Sequence, residues 1–206
     1  MTVSQQFITI VSGLPRSGTS MMMKMLEAGG IPLLTDQQRQ PDADNPEGYY
    51  ELEVVKKLGD DVAWLADAEG KAVKIISQLL IQLPVDAHQY RVLLMERTID
   101  EVLASQAEML KRRGTDRAAR AGDDDALRSL FERHLEEVRQ WLRGHDNFDF
   151  LSVQFDAVHA NPTLQSERVS EFFGGGLDIP SMAAAVNKRL YRQKSSSRDE
   201  SPLGVV

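Results

Sequence analysis

Residues 13–20, Gly-Leu-Pro-Arg-Ser-Gly-Thr-Ser, place a cation, Arg16, beside Ser17, Gly18, Thr19 and Ser20 in one short run that begins Gly13-Leu14-Pro15. Such a run has its chemistry where it opens a helix. The first backbone N–H groups of a helix lack intrahelical acceptors and carry the positive end of its dipole, so they bind phosphate oxygens. Gly18 lets the main chain approach an oxyanion closely, and Thr19 and Ser20 add hydroxyl donors. The spacing resembles G-x-x-x-x-G-K-[ST], but Thr19 stands where that pattern has its lysine. The cation has moved back into the loop, to Arg16. Without a lysine reaching the β- and γ-phosphates, hydrolysis of a nucleoside triphosphate is disfavoured. The plain alternative is a glycine-rich turn that only connects a strand to a helix.

The elements that would position this loop are legible on both sides. Residues 7–12 (FITIVS) form a β-branched run and residues 20–28 (SMMMKMLEA) an apolar one, which reads as strand, loop, helix. Gly29-Gly30 ends that helix, and residues 31–34 look like a short second strand. Residues 35–50 are polar and carry Pro41, Pro46 and Gly48, a length of loop that in a compact domain serves function or moves. Residues 52–65 have helical spacing, with Val55, Leu58, Val62 and Leu65 on one face. Residues 72–76 and 91–95 read as buried strands, each followed by a helical pattern, at 79–83 and 99–110. A charged connector, 111–125, leads to a long amphipathic helix over 126–142; residues 148–155 are the last strand and 162–173 a further helix. Strands alternating with helices predict an α/β fold: three layers of P-loop type, with a mainly parallel sheet of about five strands and helices on both faces. Ligands of such folds bind beyond the carboxyl ends of the strands, which gathers residues 13–20, 35–51 and 96–105 at one edge.

Bulk properties set the outer bounds. The 206 residues suffice for one domain, expected over 1–192, with 193–206 a flexible polar tail. There is no cysteine, which removes disulfides and thiolate metal sites and fits a reducing compartment; with no leader in residues 1–7, a cytoplasmic location is expected. No run approaches the roughly 18 apolar residues of a membrane span. The formal charge of -7 speaks against a general affinity for nucleic acid, so a polyanionic ligand needs a local cluster of cations and amides.

Other candidate residues are weaker. His88, His134, His145 and His159 have neither triad nor metal-pair spacing. Asp42-Ala43-Asp44-Asn45 begins like a calcium loop, but the fifth position is Pro46 and Gly48 falls one place late. Trp64, Tyr49, Tyr50 and Met21-Met22-Met23 could line an acceptor pocket, although a methionine run is more often core. Lys111, Arg112, Arg113, Arg117 and Arg120 form a basic stretch, by default solvated.

The order strand, Pro15-Arg16-Ser17-Gly18-Thr19-Ser20, helix resembles the 5′-phosphosulfate loop of sulfotransferases that use 3′-phosphoadenosine 5′-phosphosulfate (PAPS). That family's second signature is an arginine after a later strand and a serine eight positions on, both at the 3′-phosphate; Arg97 and Ser105 match it. Asn45-Pro46-Glu47-Gly48-Tyr49-Tyr50-Glu51 looks like a segment of bacterial members. The resemblance, to the bacterial sulfotransferase family, implies PAPS as co-substrate, no metal, and Arg16 at the oxygen bridging sulfur and phosphorus. It implies an acceptor hydroxyl or amine on a small molecule, lipid or glycan. Lys74 matches the lysine of the family's K-x-H pattern, where it would steady the sulfuryl oxygens, but Ile76 stands at the histidine. A carboxylate base is then implied, with Asp36 the nearest match and Glu51 the second. The alternatives are a P-loop nucleotide or small-molecule kinase, disfavoured by Thr19, and a nucleotide-binding relative without catalysis, favoured by Ile76. Oligomeric state is not legible.

Overall fold

A computed structural model describes residues 7–36, 38, 40–42, 45, 48–112, 114 and 124–187. The expected tail from Gln193, Arg113, Arg117 and Arg120 of the basic stretch, and Pro46 and Glu47 lie outside the described residues.

Four parallel strands form the sheet: β1 (Ile8–Gly13), β2 (Ala72–Lys74), β3 (Tyr90–Glu96) and β4 (Phe148–Gln154), in the order β2-β1-β3-β4. Every residue of β1 is buried, as expected where both faces of a parallel strand are covered. Side chains alternate between the faces. Ile8, Ile10, Val73, Ile75, Val92 and Leu94 form a core with the long helix α4 (Asp124–Arg143). Val11, Leu93, Met95 and Val153 face α1 (Thr19–Ala28), α6 (Pro162–Phe172) and α7 (Ile179–Ala184). Met22, Met23 and Met25 of α1 are fully buried there and Met21 packs against the same cluster, so the methionine run is core. Trp64 is also core, with its indole N–H on the Asp61 carbonyl at 3.1 Å. The other helices are α2 (Ser77–Leu80) and α3 (Ile99–Arg112), which pack with α4, and α5 (Phe155–Ala160), which follows β4.

The sheet has four strands where about five were expected. Residues 31–34 make only an isolated parallel bridge, Leu33 opposite Ala72, closed by Leu34 N to Ala72 O (2.9 Å) and Ala72 N to Pro32 O (2.8 Å). Pro32 has no N–H with which to extend the ladder. The helix expected over 52–65 is two short 3-10 turns, Glu53–Lys57 and Ala63–Ala68. Gly59-Asp60-Asp61 interrupts it, and the Asp61 carboxylate accepts the Ala63 N–H (3.0 Å), a local bond that competes with helix propagation. Among the described residues no helix is long and apolar enough to cross a membrane.

The register fixes the site. Lys74 lies opposite Val11, Gly13 opposite Met95, and Glu96 opposite Gln154. The loop after β1, the end of β2 and the first residues after β3 therefore emerge along one edge.

Candidate active site

The loop between β1 and α1 is held in a shape only certain residues tolerate. Gly13 has φ 151°, and a Cβ there would fall 2.5 Å from both the Met95 carbonyl and Ser17 Oγ. Gly18, the N-cap of α1, has φ 99°, and its Cβ would enter the ring of Phe155. Arg16 adopts φ 76°, a left-handed conformation costing a non-glycine residue about 1–2 kcal/mol. The surroundings hold it there. Arg97 Nη1 donates to the Arg16 carbonyl (3.2 Å), Gln106 Nε2 to that of Pro15 (3.4 Å), and Ser17 N to that of Leu14 (3.1 Å). Leu14, 2% exposed, packs with Val102 of α3 and Leu135 of α4.

At the start of α1 no side chain caps the helix and its first turn carries no acid. The amides of that turn thus keep their capacity for an oxyanion. Ser17 Oγ is buried and has no hydrogen-bond partner among the described residues. An orphaned buried hydroxyl, an uncapped helix start and two positions where a Cβ does not fit thus meet in this one loop.

Two arginines stand at this cradle. Arg16 Nε donates to Ser105 Oγ at 3.0 Å. Arg97, its side chain 8% exposed, is held on three sides: Nε on Glu101 Oε2 (2.8 Å), Nη1 on the Arg16 carbonyl, and its guanidinium 4.4 Å above the Phe155 ring. Glu101 itself is 4% exposed. A buried ion pair adds little net stability over an apolar pair, because desolvation offsets the attraction. What it does provide here is a fixed direction for the guanidinium fork.

The β2 side brings a third cation. Lys74 Nζ donates to Ser20 Oγ (3.3 Å) and the Tyr49 carbonyl (2.7 Å), and lies 3.8 Å from Glu51 Oε1. Asn45 Nδ2 donates to Ser20 Oγ (2.9 Å) and to the Gly48 carbonyl, while Tyr49 Oη donates to the Asp42 carboxylate (2.7 Å). These bonds fasten the polar loop to the first turn of α1.

The structure thus joins Pro15, Arg16, Ser17, Gly18, Thr19 and Ser20 of the loop with Arg97, Ser105 and Lys74. Asp36 is placed differently. Its carboxylate accepts the N–H of Glu53, at the start of a 3-10 turn, and that of Gln38 (3.0 Å), and its own N–H donates to the Glu51 carbonyl (3.3 Å). The histidines have other partners: His88 pairs with Glu69, His134 with Ser77, His145 with the Trp141 carbonyl, and His159 lies edge-on to Phe155. Burial holds His134 below the ordinary imidazole range, opposed by the Glu137 carboxylate. Among the described residues no group of three His, Cys, Asp or Glu is arranged to hold a metal ion.

Two residues at the cradle went unread in the sequence. Glu101 carries a usable signal, since it lies four residues after Arg97, the spacing of facing side chains on a helix. Phe155 carries none: its contacts with Gly18 and Arg97 span the chain.

No protein-family model matches the chain, and no curated protein does. Among solved structures, the sulfotransferase domain from the curacin biosynthetic pathway matches with a TM-score of 0.50 at 12% sequence identity, over 91% of this chain and 90% of that one. Identity that low carries the fold. The chain has a sulfotransferase-like α/β fold, a parallel sheet flanked by helices, with its cation-lined loop at the carboxyl edge.

Proposed function

We propose that the chain is a sulfotransferase-type enzyme, moving a sulfuryl group from PAPS to a hydroxyl or amine of a small-molecule, lipid or glycan acceptor. The observation that carries this reading is the meeting of Arg16, Arg97 and Ser105 at the uncapped start of α1. One cation lies within the loop and a second, rigidly seated, lies beside it, an arrangement suited to a ligand with two separated phosphates.

In this reading the amides of α1 and the hydroxyls of Ser17, Thr19 and Ser20 hold the 5′-phosphosulfate, while Arg97 and Ser105 hold the 3′-phosphate. The acceptor oxygen forms its bond to sulfur as the bond from sulfur to the bridging oxygen breaks, and the electron pair passes to the departing phosphate. Arg16 stabilises the charge that grows on that oxygen, and Lys74 that on the sulfuryl oxygens. The acceptor's proton goes to a carboxylate. Of Asp36 and Glu51 we assign Glu51 as base, because it stands beside Lys74 while both oxygens of Asp36 accept backbone amides.

Calorimetric titration tests the reading. Adenosine 3′,5′-bisphosphate is expected to bind, ATP with Mg²⁺ to bind much more weakly, and Arg97→Lys, which loses the planar fork, to weaken the bisphosphate about tenfold. Tighter binding of ATP with Mg²⁺ would reject it. In an acceptor-library assay, Glu51→Gln is expected to lower kcat about a hundredfold and Asp36→Asn far less; the reverse ranking returns the role to Asp36.

A further inference from the structure

The Ser20 hydroxyl, on the first turn of α1, is held by two groups that can only donate to it. Asn45 Nδ2 donates to Ser20 Oγ at 2.9 Å and Lys74 Nζ at 3.3 Å. The Asn45 amide has one orientation here, because Nδ2 also donates to the Gly48 carbonyl, which only accepts. A hydroxyl oxygen has two lone pairs and one O–H, so both acceptor sites of Ser20 are taken. Its O–H is left to donate, and no acceptor for it is present among the described residues. Asn45 is itself clamped: its N–H donates to Asp42 Oδ1 (3.0 Å), and the same carboxylate accepts Oη of Tyr49, a residue 6% exposed. Lys74 Nζ also donates to the Tyr49 carbonyl (2.7 Å), so Tyr49 braces both donors.

We infer that Asn45 is a positioning residue: with Lys74 it fixes Ser20 as a one-way donor to the sulfuryl group. The inference rests on the PAPS reading above. Lys74 is the cation assigned to the sulfuryl oxygens, and the hydroxyl bonded to it stands at that end of the donor. Sulfuryl oxygens only accept, which suits a hydroxyl that has only its proton to give. A donor already oriented when the ligand arrives needs no reorganisation as the group is transferred.

Titration of the full chain with PAPS and with adenosine 3′,5′-bisphosphate, without acceptor, reads this role through the ratio of the two affinities. Ser20→Ala is expected to lower that ratio about tenfold, the loss of one hydrogen bond to a charged group. Asn45→Asp keeps the shape but replaces the donor by an acceptor. The Ser20 O–H then turns to the new carboxylate, and the ratio falls about as far. In that background Ser20→Ala costs less than about twofold more. Asn45→Ala, which offers no acceptor, should lower the ratio only about threefold. Should Asn45→Asp not fold, the cycle is run with Asn45→Ala, where Ser20→Ala is expected to cost about threefold instead of tenfold. A ratio unchanged by the Asn45 variants, or by Ser20→Ala in the wild type, overturns the role. So does a Ser20→Ala cost that is the same in every background, which would make Asn45 a fastener of the loop. If the wild type binds ATP with Mg²⁺ more tightly than either ligand, the proposed function fails and this role with it; the other negative results, in a protein that prefers the two ligands to ATP, remove the role alone.

Discussion

Replacing Gly18 by alanine tests the central geometry with one methyl group. Two costs are expected. The first is conformational: φ 99° with ψ 14° is left-handed, and an alanine held there loses about 1–2 kcal/mol. The second is steric, because the new Cβ enters the Phe155 ring, which also packs against the Arg97 guanidinium and His159. Phe155 is 6% exposed and cannot swing into open solvent, so overpacking adds about 1–2 kcal/mol. The sum is about 3 kcal/mol, a large part of the stability of an ordinary domain. With a urea m-value of about 2 kcal/mol/M, the unfolding midpoint falls by about 1.5 M. The ring also gives the test its control. Phe155→Ala alone is expected to cost about 3 kcal/mol. In the double variant the methyl has room, and the total should fall short of the sum by about 1–2 kcal/mol. Full additivity would show that the ring does not press on Gly18, and a Gly18→Ala protein within about 0.5 kcal/mol of wild type would refute the loop geometry outright.

Glu101→Ala leaves the buried Arg97 without its carboxylate and should destabilise the fold by about 3 kcal/mol, whereas Arg97→Met with Glu101→Leu should come much closer to wild-type stability while losing the bisphosphate. Equal destabilisation by the two changes in urea titrations would overturn the description of that pair. His134 gives a pH dependence. Its folded pKa lies below the unfolded value near 6.5, so the native state binds fewer protons there; the contribution is present above about pH 6.5 and is lost as pH falls through the folded value. His134→Gln should therefore flatten the fall in unfolding free energy between about pH 7.5 and 5.5, and an unchanged slope would assign that fall to other groups.

What the sequence made legible is what local rules govern. β1, the loop and α1 follow one another within about twenty residues, and each announces itself: a β-branched run, a Gly/Pro turn with its cation, an apolar helix. Arg97 and Ser105 were singled out by a family spacing, and they lie just before α3 and within it. Where local signals conflict, the reading went astray. Residues 31–34 have strand composition, yet Pro32 limits them to a bridge, and the apolar spacing of 52–65 was real, with Val55, Leu58 and Leu65 buried, although Gly59 and two aspartates broke the helix. Phe155 reads as the end of an apolar strand, so α5 was not separated from it. The contacts of Lys74 with Ser20 and Glu51, and of Phe155 with Gly18, belong to the packing of distant segments, which composition and periodicity do not encode.

The order β2-β1-β3-β4 puts the first strand of the chain at the centre, between neighbours that begin at Ala72 and Tyr90. As the chain leaves the ribosome, residues 8–13 must wait, unpaired and apolar, for partners some sixty and eighty residues behind them, the kind of long-range pairing that slows folding and invites aggregation. The cradle waits longer still, since Phe155 must be made before it can support Gly18 and Arg97. A nascent chain halted short of that phenylalanine would hold every residue of the loop without the ring that seats Gly18 and Arg97.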